Sequence, residues 1–271
     1  MKIMYKLVAL DIDGTICSRN FPISIRTRNA IAKLMEIGCI VTLVTGRIFE
    51  SALNIATELK IKSPIISSQG SEIRDLKTGI TLKRQYLTKK MTQVALEALS
   101  TWKHEIIAYH DDNIYANVRT PWVEEYSKRN HQNLTIVNDF SSLASKELIR
   151  LVAIGNKHKI SNLEQYIKKE FENELRCTRS LENFCEIIHP DSGKDNALAW
   201  LSNHLGISQH ETVAFGNGYD DVQMICWAGL GIAVMDGVKD LIKKSDKIAE
   251  PMIEDGVAKI LEDLINTDMI S

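Results

Sequence analysis

The stretch "VAFGNGYDDVQM", residues 213–224, carries a short apolar run into two glycines and two adjacent acids, Asp220 and Asp221. Far upstream, "VALDIDGT" at residues 8–15 follows the same plan. Both read as buried strands that end in carboxylates, where an open parallel sheet places its chemistry. Several carboxylates in one crevice repel one another and stay ionised only where cations hold them. The two stretches are therefore expected to meet and to share a positive charge.

Their surroundings alternate strand and helix. "YKLVALDI", "CIVTLVTG" and "SPIISS" are apolar runs of strand length. Between the first two, Ser24 caps a helix carrying Ala30, Ile31, Leu34 and Met35 on one face, with Gly38 at its close. After the second, Ile48, Ala52, Leu53, Ala56 and Leu59 fall at helical spacing. The alternation returns after Asp191 with the helix "SGKDNALAWLSNHLG", the strands "TVAFG" and "LGIAV", and the helix "DGVAKILEDLI". This pattern predicts an α/β fold, a Rossmann-like doubly wound parallel sheet covered on both faces.

The middle of the chain reads differently. "SEIRDLKTGITLKR" is a hairpin turning at Thr78-Gly79. A helix through Met91, Val94, Ala95, Ala98, Leu99 and Trp102 leads to a hairpin, "EIIAYHDDNIYANV", turning at Asp111-Asp112-Asn113. Thr120-Pro121 opens another helix, with proline at its first position. A helix near Ile160 to Phe171 precedes the strands "LRCTR" and "FCEIIH". A helix followed by two strands at both ends suggests one inserted α+β module. The expected division is 1–83 and 188–271 for the sheet domain and 84–187 for the insert.

Four segments reach strand ends in order: Asp11-Ile12-Asp13-Gly14-Thr15, Thr45-Gly46-Arg47, Lys194 near a helix start, and Asn217 to Asp221. Each has a plainer reading. Asp13-Gly14 is a common turn, Thr45-Gly46 suits a strand end, and Ser192 with Asp195 fits a capping box. Together they describe a site. Its ligands are all oxygen, without His or Cys, which favours Mg²⁺ over Zn²⁺. A metal that neutralises phosphate lets a carboxylate attack it, and a second carboxyl can move the proton.

These segments resemble the four motifs of the haloacid dehalogenase-like (HAD) phosphatases, and the insert resembles the cap of their Cof-type subfamily, class IIB. The resemblance spans nearly the whole chain. It implies Asp11 as nucleophile and metal ligand, and Asp13 as general acid/base with its backbone carbonyl on the metal. It places Thr45, the Gly46 amide and Lys194 on the phosphate oxygens, and Ile12, Arg47 and Asp220 against substrate. Asn217, Asp220 and Asp221 join the Mg²⁺ set. Arg47 could instead pair with an acid or cap the next helix. "SSQGSEI" replaces the subfamily's usual Asn-Gly-Ala loop. The fourth motif usually reads Gly-Asp-Asn-x-Asn-Asp; here Asn217 and Asp220 have exchanged amide and acid. Either Asp220 or Asp221 restores the charge, or the exchange weakens turnover.

The implied activity is hydrolysis of a small phosphate monoester, a sugar phosphate or a cofactor such as pyridoxal phosphate or flavin mononucleotide, beneath a closing cap. The rivals are a phosphotransferase or phosphomutase, and a binding protein with weakened turnover. The 271 residues carry a formal net charge of −2, which gives no reason to expect nucleic acid or an anionic membrane surface. No apolar run approaches the roughly 20 residues that cross a bilayer. The five cysteines form no CxxC pair and read as reduced thiols of a cytoplasmic protein. The seven histidines lack ligand spacing, and Trp102 and Trp200 fall on apolar helix stripes as core residues.

Overall fold

The computed structural model describes residues 4–111, 113–129 and 132–270. The chain begins β1 (Leu7–Leu10), α1 (Ile25–Glu36), β2 (Ile40–Leu43), α2 (Phe49–Glu58), β3 (Ile65–Ser67), β4 (Glu72–Arg74) and β5 (Thr81–Arg84). There follow α3 (Lys89–Ala98), β6 (Ile106–His110), β7 (Asn113–Ala116), α4 (Pro121–Arg129), β8 (Asn133–Ile136) and β9 (Arg150–Ile154). Next come α5 (Lys157–Glu170), β10 (Arg176–Thr178), β11 (Phe184–Ile188), α6 (Lys194–His204) and β12 (Thr212–Gly216). The chain closes with α7 (Val222–Trp227), β13 (Leu230–Val234), α8 (Lys239–Lys244), β14 (Lys247–Ala249) and α9 (Gly256–Asn266).

Two compact units divide the chain. The first comprises Met1–Lys83 and Lys194–Ser271, the second Arg84–Gly193. In the first, a parallel sheet runs β14-β13-β12-β1-β2. A parallel bridge from Val44 to Ile66 attaches β3 beyond β2. From β1 the early strands therefore step outward one way and β12 to β14 the other. The reversal falls between β1 and β12, where Leu10 pairs with Phe215. Such a switch point opens a crevice past the strand ends.

Alternation across β1 makes the two cores. Val8 and Leu10 face Ile31, Leu34, Val257 and Leu261 of α1 and α9. Leu7 and Ala9 face Leu198, Leu201, Met224 and Leu241 of α6, α7 and α8. Helix α1 forms as its spacing predicts, with Ser24 accepting from the Thr27 N–H at 3.0 Å and Thr27, Ala30, Ile31 and Leu34 buried.

The second unit is a mixed sheet, β10-β11-β9-β6-β7-β8, antiparallel except for β7 beside β8. Ala108, Leu151 and Ile187 bury one face with Ala95 of α3 and Ile160 and Ile167 of α5. Ile107, Tyr109 and Val152 bury the other with Val123 of α4. Three sequence expectations need correction here. Strands β8 and β9 were not anticipated, although β9 is the buried centre of this sheet. Trp102 lies beyond α3, which ends at Ala98, and packs on the core from the following turn. The second boundary follows Gly193 rather than residue 187. Beyond β11 the chain stays with the insert because Ser192 Oγ donates to the Gln85 carbonyl (3.1 Å) and Arg176 Nη1 to the Ser192 carbonyl (2.6 Å). The hairpin between β6 and β7 forms, while Asp112 of its expected turn lies outside the described residues.

Leu10→Ala should lower stability by about 2–5 kcal/mol, because Leu10 is wholly buried at the centre of the sheet. Ile25→Ala, on a largely exposed side chain, should change it by less than about 0.5 kcal/mol. Denaturant unfolding compares the two, and equal losses would contradict this assignment of the core.

Candidate active site at the strand switch point

Each acid cluster leaves its strand at the same sheet edge. The Asp11 N–H donates to the Phe215 carbonyl (3.1 Å), so the end of β1 is tied to the end of β12. Gly14 turns the chain back with φ +86°, a conformation L side chains rarely adopt. A Cβ there would also stand 2.1 Å from Asn217 Nδ2, so glycine is needed for both the turn and the close approach of the two loops.

Lys194, the first residue of α6, is the hub. Its Nζ donates to Asp11 Oδ1 at 2.8 Å and Asp221 Oδ1 at 2.6 Å, and lies 3.0 Å from Asp220 Oδ2. Asp11, Lys194 and Asp221 are almost inaccessible to solvent. Burial pushes the Asp11 carboxyl up to about 8, and the Asp221 charge adds to that rise against the pull of Lys194. Burial also raises Asp221. Burial disfavours the ammonium too, yet Asp11, Asp220 and Asp221 together hold its pKa well above the ordinary lysine value. Lys194 is therefore charged while its carboxylates remain under-neutralised.

Asp221 has little left to offer a ligand. Its Oδ1 takes Lys194, and its Oδ2 accepts the N–H groups of Asn217 (3.0 Å) and Gly218 (2.9 Å). It holds the loop in place. Thr15 Oγ1 lies 2.9 Å from Asp11 Oδ2 and 3.1 Å from Asn217 Oδ1. A hydroxyl has one proton to donate, so two acceptors face one donor. Added to three carboxylates around one ammonium, this shortage of positive charge fits an oxygen-ligated cation near Asp11 and Asn217. Among the described residues, His, Cys, Asp and Glu alone form no metal-holding group of three or more; the oxygens here include an amide.

Asp13 and Arg47 form a second, more exposed pair. Arg47 grips Asp13 through Nε to Oδ2 (2.7 Å) and Nη2 to Oδ1 (2.6 Å). Thr45 is buried, and its Oγ1 accepts the Arg47 N–H at 3.1 Å. Arg47 thus pairs with an acid, and no side chain caps α2. The Ile12 side chain is fully buried in the core, so only its backbone can face a ligand, and its carbonyl already accepts from Thr15, Ile16 and Cys17. Burial pushes the Cys17 thiol up to about 11, which leaves it protonated and inert. Sequence reasoning missed Thr15 as the link between Asp11 and Asn217, although its place in the first motif was visible. It also missed Gln69, whose side chain packs against Gly46.

Comparison with known proteins finds similarity along nearly the whole chain. The profile of the haloacid dehalogenase-like hydrolases matches residues 8–261. The chain is 30% identical over 258 residues to the 5-amino-6-(5-phospho-D-ribitylamino)uracil phosphatase YcsE of Bacillus subtilis, covering 94% of each. A crystal structure of a haloacid dehalogenase-like hydrolase from Bacteroides thetaiotaomicron is 26% identical with a TM-score of 0.79, over 96% of this chain and 99% of that one. A HAD subclass IIB sugar phosphatase shares the fold at a TM-score of 0.81 and 21% identity, over 96% of this chain and 98% of that one. Among the described residues no helix is long and apolar enough to cross a membrane. The chain belongs to the haloacid dehalogenase-like hydrolases.

Proposed function

We propose that this hydrolase is a Mg²⁺-dependent phosphatase that cleaves a small phosphate monoester through an aspartyl-phosphate on Asp11. The observation that carries the reading is the convergence of Asp11, Asp220 and Asp221 on the buried Lys194 ammonium at the sheet's switch point. Asp11, Asp220, the Asn217 side-chain carbonyl and the Asp13 backbone carbonyl would hold the ion, and Asp221 would act as the strut that shapes their loop. When bound, Mg²⁺ supplies the charge neutralisation that lets an anionic carboxylate stand beside a phosphoryl group.

The chain's own groups do the rest. An Asp11 oxygen forms the bond to phosphorus while the ester bond breaks, and Asp13, once released from Arg47 and protonated, gives its proton to the departing alkoxide. Asp13 then takes a proton from water as that water attacks phosphorus and frees Asp11. Thr45 and the Gly46 amide bind phosphoryl oxygens, and Lys194 keeps Asp11 oriented and offsets charge. The relative from Bacillus subtilis acts on a ribityl phosphate carried by a heterocycle. That supports a sugar, polyol or cofactor phosphate as substrate class here. The five free cysteines support a reducing, cytoplasmic setting.

A second reading, a chain that binds phosphate esters with little turnover, rests on Asn217. A neutral amide is a weaker ligand for Mg²⁺ than a carboxylate, and this amide also shares the Thr15 hydroxyl with Asp11. A screen of sugar, polyol and cofactor phosphates, with and without Mg²⁺, separates the two. Phosphate release that needs the metal and stops with EDTA supports the phosphatase, and its absence on every ester supports the binder.

Asp11→Asn should reduce turnover to background while stabilising the metal-free protein at neutral pH. The folded-state pKa, raised from 3.8 to about 8, makes the ionised form costly. Metal-free stability should therefore fall as pH rises through that window, and the slope should flatten in the variant. Thermal melts across the range check the sign. Lys194→Met should cost the metal-free protein about 3–5 kcal/mol, since it strands buried carboxylates without their partner. A loss below about 1 kcal/mol in denaturant unfolding would mean that the ion pairs contribute little.

A further inference from the structure

We infer that Gln69 is a positioning residue for the Thr45-Gly46-Arg47 loop, and that phosphate affinity depends on it. The inference rests on the phosphatase reading, in which that loop binds phosphoryl oxygens. Ser68 (φ 51°), Gln69 (φ 59°) and Gly70 (φ 81°) form three successive left-handed residues, two of them with side chains that disfavour the conformation. The turn has a specific consequence. It aims the Ser68 N–H at the Arg47 carbonyl (2.7 Å) and the Gln69 N–H at the Thr45 carbonyl (3.1 Å). Meanwhile the Thr45 N–H donates to Ile66 on β3 (3.0 Å). The loop that carries Thr45 Oγ1 and the Gly46 amide is thus fastened on both sides of Gly46.

The Gln69 side chain completes the clamp. Gln69 is 1% exposed, and its side-chain amide packs against Gly46. A Cβ on Gly46 would fall 2.6 Å from Gln69 Nε2 and 3.0 Å from Cδ. The glycine and the glutamine therefore need each other: one supplies the space, the other fills it and stops the loop from relaxing. Such support is what holds a binding loop in its productive geometry before the ligand arrives.

The test compares Gln69→Ala, which removes the amide, with Gln69→Gly, which removes it and also relieves the left-handed strain. Steady-state kinetics on p-nitrophenyl phosphate give kcat and KM, and equilibrium titration with inorganic phosphate in the presence of Mg²⁺ gives phosphate affinity directly. Both variants should weaken phosphate binding and raise KM by about 10- to 100-fold, with kcat reduced far less. Gln69→Gly should do so with its melting temperature preserved. Retention of phosphate affinity within about twofold in either folded variant would overturn the inference, as would a fall in melting temperature with affinity intact. If the wild-type chain binds phosphate but hydrolyses no ester, the phosphatase reading fails while the titration still decides the role of Gln69. A wild-type chain that does neither overturns both.

Discussion

One ammonium among three carboxylates organises this protein. Lys194 Nζ stands within 3.0 Å of oxygens from Asp11, Asp220 and Asp221, and all four side chains are almost wholly removed from water. Buried charges of one sign are very costly alone. Placing the lysine at the first residue of α6, the acids after β1 and β12, and the strands side by side meets that cost in one place. The topology follows the same constraint, since only the sheet's point of reversal brings the first strand beside the twelfth. A lone lysine faces three carboxylates and leaves the cluster short of positive charge, while burial and then the Asp221 charge push the Asp11 carboxyl up to about 8. That shortfall is the physical reason to expect a divalent ion and, with it, chemistry on an anionic substrate.

The exchange of acid and amide in the last motif takes on a structural meaning here. Asn217 does not stand in for a carboxylate at the ammonium. Its Oδ1 instead faces Thr15, and its N–H holds Asp221. The acid that follows, Asp220, reaches Lys194. Charge has moved along the loop without leaving the crevice. The consequence would fall on the metal, because the acid sits at Asp220 and the position that usually carries it offers the neutral Asn217 amide. Affinity for Mg²⁺ is the property most exposed to the change.

Much of the sheet domain was legible in the sequence because buried parallel strands are apolar throughout and their helices show a clear stripe. β1 has no exposed residue, and α1 buries Ala30, Ile31 and Leu34 at helical spacing. The insert was harder to read. β9 begins with Arg150, a charge that argues against a central strand until its partner is known. In the fold Arg150 Nη1 meets Glu186 Oε2 at 3.0 Å and the guanidinium covers the Tyr109 ring, so the charge is buried as part of a network. Within the site, residue types at strand ends were visible, but the division of labour was not. That Arg47 grips Asp13, that Asp221 is consumed by its own loop, and that Gln69 packs on Gly46 are facts of angle and distance with no local signature. The run of left-handed residues at Ser68 and Gln69 has none either, since neither residue type announces it.

The proposed chemistry needs Asp11 to be a carboxylate made ready to bond phosphorus by the cations around it. A crystal structure grown with Mg²⁺ and beryllium fluoride tests this most directly, because that anion mimics a phosphoryl group on an aspartate. The expected result is a fluoroberyllate joined to an Asp11 oxygen, with Mg²⁺ against Asp220 and Asn217. Well-ordered crystals in which Asp11 remains bare, or in which the adduct forms on another carboxylate, would contradict it.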